Sequence, residues 1–167
     1  MKNVVFLDYD GVVNTSLWGD YVTEFGETIH KCGYAWPRDE HVNNKNAIEW
    51  LNYLYTVINY DIIVISTWAE YDNFEECLRN SGLNENIKIL GRTDRVDIRR
   101  EDSILDYVNK NKCSYVIFDD EKWLYLHDYK DHNLIIVNNE TGINRKNIEM
   151  AIDSFAKQKV CLENYYK

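Results

Sequence analysis

Short apolar runs most restrict what this chain can fold into. They are Val4-Val5-Phe6-Leu7, Ile62-Ile63-Val64-Ile65, Tyr115-Val116-Ile117-Phe118 and Leu134-Ile135-Ile136-Val137, with a weaker one at Ile87-Lys88-Ile89-Leu90. Such a run has no polar face, so a strand made from it must be covered on both sides, as in a parallel sheet between layers of helices. The segments between the runs have helical period. Residues 46–58 put Ala47, Ile48, Leu51, Leu54, Tyr55 and Ile58 on one side, and 74–83 presents Phe74, Cys77 and Leu78 before a helix-stopping Gly82. Residues 101–109 present Ile104, Leu105 and Val108, and 144–157 present Ile148, Ala151, Ile152 and Phe155 after the turn signal Thr141-Gly142. Alternating strands and helices predict an α/β fold, a doubly wound, Rossmann-like parallel sheet with helices on both faces. Ligands in such sheets bind at the carboxyl ends of the strands.

Three of the predicted strands end in residues that carry chemistry. The first ends in Asp8-Tyr9-Asp10-Gly11. Residues i and i+2 of an extended segment point the same way, so Asp8 and Asp10 can converge, and Gly11 permits a sharp turn. Adjacent carboxylates repel unless a cation joins them, and hard oxygen ligands suit Mg²⁺. An EF-hand loop starting at Asp8 would need a ligand at its fifth position and Glu at its twelfth, where the chain has Val12 and Gly19. The second strand ends in Ser66-Thr67, hydroxyls that could donate to a phosphate oxygen or cap the next helix. The strand at 115–118 ends in Asp119-Asp120-Glu121, and Arg92, Arg95, Arg99 and Arg100 cluster between these last two sites. Each piece has a plain structural reading as a cap, a loop or a solvated helix start. Their order at successive strand ends is what points to phosphate chemistry.

That ordered set resembles the haloacid dehalogenase-like (HAD) phosphatases. Their pattern is Asp-x-Asp-Gly on strand one, Ser or Thr after strand two, a basic residue at a helix start, and an acidic pair after strand four. Here these are Asp8/Asp10, Ser66, Arg100 (or Arg99) and Asp119/Asp120. Phe6 to Asn14, Gly91-Arg92-Thr93, Arg100 three residues before Ser103-Ile104, and Val116 to Asp120 are similar to the branch of RNA-repair proteins, near the polynucleotide 3′-phosphatases. The resemblance runs from Val4 to Phe155. It implies that Asp8, Asp119 and the backbone carbonyl of Asp10 hold Mg²⁺, with Asp120 supporting the ion through water. It implies Asp8 as nucleophile forming an aspartyl-phosphate, Asp10 as acid and then base, and Ser66 and Arg100 on the phosphoryl oxygens. Two departures stand out. Most of the superfamily has Lys where Arg100 lies, and the Arg that often follows the second motif is replaced by Thr67-Trp68-Ala69-Glu70. Thr67, Arg92, Arg95 and Arg99 are therefore the substrate-binding candidates.

The rest of the chain bounds the substrate. Its 167 residues suit a single HAD-like domain with a flap or small insert at 15–43, too short for a large cap. The flap holds Trp18, Tyr21, Phe25, Tyr34 and Trp36. Trp18 and Trp36 are candidates to stack on a base, although the aromatics would equally serve as a small hairpin core. A net charge of −9 argues against a broad nucleic-acid surface but allows a local basic mouth. No apolar run reaches the roughly 20 residues of a membrane span. The dispersed Cys32, Cys77, Cys113 and Cys161, with no leader before Val4, fit a reducing cytoplasm; the Asn-, Lys-, Ile- and Tyr-rich composition hints at an AT-rich genome, that of a phage or a low-GC bacterium. His30, His41, His127 and His132 lack metal-ligand spacing. The expected function is a Mg²⁺-dependent phosphomonoesterase acting on a nucleotide or nucleic-acid 3′ end. The alternatives are a small-metabolite phosphatase and a weakly catalytic module that binds a phosphorylated partner.

Overall fold

The computed structural model describes residues 2–32, 44–65, 74–93, 100–125 and 133–165. Its strands are β1 (Asn3–Leu7), β2 (Trp18–Val22), β3 (Thr28–Cys32), β4 (Asp61–Val64), β5 (Ile89–Arg92), β6 (Ser114–Asp119) and β7 (Leu134–Ile136). Its helices are α1 (Lys45–Val57), α2 (Phe74–Asn80), α3 (Arg100–Asn111) and α4 (Arg145–Tyr165), with a 3₁₀ turn at Lys122–Leu124. Five of the strands form a parallel sheet in the order β5-β4-β1-β6-β7. The fold is α/β, as the apolar runs predict.

Side chains alternate across the central strands and feed two separate cores. Val5 and Leu7 of β1, Ile62 and Val64 of β4, and Val116 and Phe118 of β6 pack with α1, α2 and α4. Val4, Phe6, Ile63 and Ile117 face the other way, against Ile104, Tyr107 and Val108 of α3. Burial on both faces is why these strands read as unbroken apolar runs rather than as alternating ones.

Of the element boundaries that differ from the sequence reading, two have a visible cause. The strand expected at 87–90 lies at 89–92, because Ile87 is held by a turn: its N–H donates to Asn84 O at 3.1 Å and its carbonyl accepts from Arg79 Nη2 at 2.7 Å. Helix α4 runs eight residues past the expected end at 157. No Gly or Pro interrupts 158–165, and Gln158 clamps the helix to the sheet. Its Nε2 donates to Tyr115 O at 2.8 Å and its Oε1 accepts from Tyr115 N at 3.0 Å. Gly82 does end α2, at φ +93°, as expected.

The 15–43 insert contains an antiparallel hairpin, β2–β3, separate from the main sheet. Its tip is tied by Thr23, whose N–H donates to Glu27 O and whose hydroxyl oxygen accepts from Phe25 N and Glu27 N. The tip docks on α1. Glu24 N donates to Asn46 Oδ1, the Phe25 and Trp50 rings lie 4.8 Å apart, and Lys45 pairs with Glu27. Residues 33–43 of the insert lie outside the described residues. Among the described residues, no helix is long and apolar enough to cross a membrane.

Candidate active site

Strand register builds the centre of the site. Leu7 of β1 pairs with Phe118 of β6, so the next residues, Asp8 and Asp119, emerge side by side at the carboxyl edge. Asp8 N still donates to Phe118 O at 3.0 Å, and Val137 N donates to Asp119 O at 2.9 Å, which fixes both backbones. Asp8, Asp119 and Asp120 each offer one carboxylate oxygen, all within 4.8 Å of one another. Asp8 and Asp119 are buried, Asp119 completely.

Arg100 begins α3 and inserts its guanidinium between two of these carboxylates. Its Nη1 is 2.5 Å from Asp119 Oδ2 and 3.5 Å from Asp8 Oδ2. Burial works against its charge, but Asp8 and Asp119 outweigh that and hold its pKa above the ordinary arginine value. Asp120 shows the opposite stress: burial, then the neighbouring Asp119 charge, push its carboxyl up to about 6. One guanidinium thus faces three acidic groups. Hard oxygen donors this close, with one already resisting ionisation, fit a divalent cation such as Mg²⁺.

The loop after β1 is folded tightly against the acidic pair. Tyr9 O accepts from the N–H groups of Val12, Val13 and Asn14 at 3.3, 3.0 and 2.9 Å. Gly11 sits at φ +73°, and a Cβ there would lie 2.2 Å from Asp120 Oδ2. Glycine is required at this position both for backbone conformation and for the approach of Asp120. Asp10 does not join the three-carboxylate group. Its Oδ1 instead accepts from Asn14 Nδ2 at 2.6 Å, and Asn14 is fully buried. A second loop, 138–143, backs the first: Gly142, at φ +70°, lies where a Cβ would meet Val12 O at 2.6 Å and Thr15 Cγ2 at 2.8 Å. Asn44 bridges the two loops and caps α1. Its Nδ2 donates to Thr141 O and Thr15 Oγ1, and its Oδ1 accepts from Ala47 N.

The turn after β6 is anchored on Asp119 itself. Asp119 Oδ1 accepts from Glu121 N at 2.8 Å, and Oδ2 accepts from the Tyr125 hydroxyl at 2.5 Å. Burial, then the Asp119 charge and this hydrogen bond, raise the Tyr125 pKa far above that of an ordinary phenol, so the hydroxyl stays a donor.

Of the sequence candidates, Asp8, Asp119, Asp120 and Arg100 come together, and Asp10 stands beside them on its Asn14 hydrogen bond. Arg92 ends β5 at the sheet edge, exposed and paired in register with Val64. Two strand spacings, about 10 Å, separate that strand from β1. Trp18 contributes its backbone to β2. Ser66, Thr67, Arg95, Arg99 and Trp36 lie outside the described residues. The flap aromatics Tyr21 and Phe25 serve the structure: the Tyr21 hydroxyl donates to Asn44 Oδ1 at 3.3 Å, and Phe25 packs on Trp50. Sequence reasoning missed Tyr125 and Asn44 and read Gly142 only as a turn signal; the roles of all three depend on contacts with distant segments. It also left Asn14 without a role, although that residue closes the first motif.

The family model for the HAD domain in Swiss Army Knife RNA repair proteins matches residues 4–148, a span that includes every residue of this site. No curated protein matches the chain.

Proposed function

Since the chain belongs to the family of HAD domains in Swiss Army Knife RNA repair proteins, we propose that it is a Mg²⁺-dependent phosphomonoesterase. Its substrate in this reading is the phosphate of a nucleic-acid 3′ end or of a nucleotide. The supporting observation is the group of Asp8, Asp119 and Asp120 with Arg100 seated between two of them.

Asp8, Asp119, Asp120 and the Asp10 carbonyl would hold Mg²⁺, which supplies the charge neutralisation that lets a carboxylate approach a phosphate dianion. An Asp8 oxygen attacks phosphorus; a new P–O bond forms as the bond to the leaving oxygen breaks, giving an aspartyl-phosphate. Asp10 gives its proton to that leaving oxygen. It then takes a proton from water, whose oxygen attacks phosphorus, releasing inorganic phosphate and restoring Asp8. Arg100 holds charge that spreads over the phosphoryl oxygens in the transition state. Ser66 is assigned to those oxygens on resemblance and Thr67 to the substrate by its neighbouring hydroxyl, with Arg92, Arg95, Arg99, Trp18 and Trp36 assigned to the remainder of the substrate.

The test is turnover with and without Mg²⁺ on a 3′-phosphorylated RNA oligonucleotide, a nucleoside monophosphate and an aryl phosphate. Mg²⁺-dependent release of phosphate is expected, and Asp8→Asn should abolish it with unfolding temperature unchanged. Near-normal activity in well-folded Asp8→Asn protein would rule out the covalent route.

A further inference from the structure

Trp123 is 71% exposed, the most exposed of the large hydrophobic side chains described. It stands in the 3₁₀ turn Lys122–Leu124, three residues beyond Asp120. Chain length alone keeps its Cα within roughly 11 Å of that of Asp120. Its neighbours already satisfy the turn's need for burial: Leu124 packs on the second core and Tyr125 is buried in it. The indole therefore adds nothing to the core and stands in water, where a large apolar surface is costly.

The turn is also held firmly. Leu124 N donates to Glu121 O and Tyr125 N donates to Lys122 O, at 3.1 and 3.2 Å. The two oxygens of Asp119 accept from Glu121 N and from the Tyr125 hydroxyl, so one carboxylate of the acidic group grips the chain on both sides of Trp123. The residue that anchors this turn is thus one of the three acids that form the phosphoryl site. A rigid platform beside such a site can stack on whatever planar group the phosphate carries.

We propose that Trp123 is a base-stacking subsite, receiving the terminal nucleobase of a single-stranded nucleic-acid end whose phosphate lies at Asp8, Asp119 and Asp120. This rests on the phosphatase reading above and deepens it by naming the contact to the rest of the substrate. The charge balance favours a contact of this kind. A chain of net charge −9 gains little from long-range attraction to a polyanion, whereas stacking needs no charge and accepts any base.

The test measures Kd in the Asp8→Asn background with Mg²⁺, so that binding is read without turnover. The probes are two short single-stranded oligonucleotides ending in a 3′-phosphate, one with a normal terminal nucleotide and one abasic at that position. Trp123 protein should prefer the base-bearing end by about tenfold to a hundredfold, the value of one stacked base. In Trp123→Ala that preference should collapse, and Trp123→Phe should keep most of it. The preference should also be the same at low and high salt, because no counterions are released. Equal preference in Trp123 and Trp123→Ala proteins, equal weakening of both probes, or no binding of either probe would overturn the subsite. Turnover of protein with Asp8 intact is a separate measurement, and its failure would count against the phosphatase reading alone.

Discussion

A hydrogen bond from Asn14 Nδ2 engages Asp10 Oδ1 as an acceptor at 2.6 Å. With Oδ1 engaged as an acceptor, Oδ2 is the better place for the proton that general-acid catalysis needs. The benefit of an acid grows with the basicity of the leaving oxygen. Asn14→Ala should therefore slow turnover of an alkyl or nucleoside phosphate by at least about tenfold, out of the 10²–10⁴ that acid–base catalysis supplies. A nitrophenyl phosphate, whose leaving group needs no proton, should be much less affected. Equal losses on both substrates would reduce Asn14 to a structural residue. Tyr125 is testable at the same scale. Its hydroxyl orients Asp119, so Tyr125→Phe should preserve the fold but weaken Mg²⁺ binding by about 10–100-fold, the usual effect of losing a hydrogen bond to a metal ligand. Calorimetric titration with Mg²⁺ checks this, and an unchanged affinity would refute it.

Among the elements, loops and the hairpin behave differently from the helices and strands they join. Two glycines with similar backbone angles separate local strain from tertiary contact. Gly82 ends α2 at φ +93° with nothing near its would-be Cβ, so Gly82→Ala should cost about 1–2 kcal/mol of left-handed strain. Gly142 has comparable strain at φ +70°, and its would-be Cβ also meets the backbone oxygen of Val12. Overpacking against backbone typically adds about 1–3 kcal/mol. Denaturant melts should rank Gly142→Ala as the more destabilised, and only this variant should also lose turnover, because the displaced loop carries Asp10 and Asn14. Equal melts and equal activities would show that the two loops are not coupled. The hairpin is held by the Phe25–Trp50 contact and the Thr23 turn. Its ion pair between Lys45 and Glu27 is exposed and contributes little by comparison.

For the whole molecule, the acidic group is a stability liability that a bound cation would relieve. Asp8, Asp119 and Asp120 repel one another, and Arg100 offsets only part of that. An ion that binds only the folded state stabilises it by mass action, about 2.7 kcal/mol at a hundred times its Kd. Mg²⁺ should raise Tm, and Asp119→Ala should remove most of the rise. A melt that stays fixed through a full Mg²⁺ titration would count against the site. Asp119→Ala should also loosen the turn that carries Trp123, since its hydrogen bonds from Glu121 N and the Tyr125 hydroxyl end on that carboxylate.

The sequence alone determined the α/β class and the approximate place of the main-sheet strands and of the helices, because burial on both faces leaves unbroken apolar runs and because helical period marks the segments between them. It also placed Asp8, Asp119, Asp120 and Arg100 at strand and helix ends, since parallel sheets bring such ends together on one edge. The tertiary structure decided which of these residues meet. The convergence expected between Asp8 and Asp10 by i, i+2 spacing gives way to one across strands, because the pairing of Leu7 with Phe118 aligns Asp8 with Asp119 while the turn at Gly11 sends Asp10 to Asn14. Sequence spacing cannot report the register between strands more than a hundred residues apart. Nor could it show that Gly11 makes room for Asp120, that Tyr125 bonds to Asp119, or that Tyr21 and Phe25 dock the hairpin on α1. Each is a contact between segments whose local patterns are independent, and only the packing of the folded chain brings them within reach.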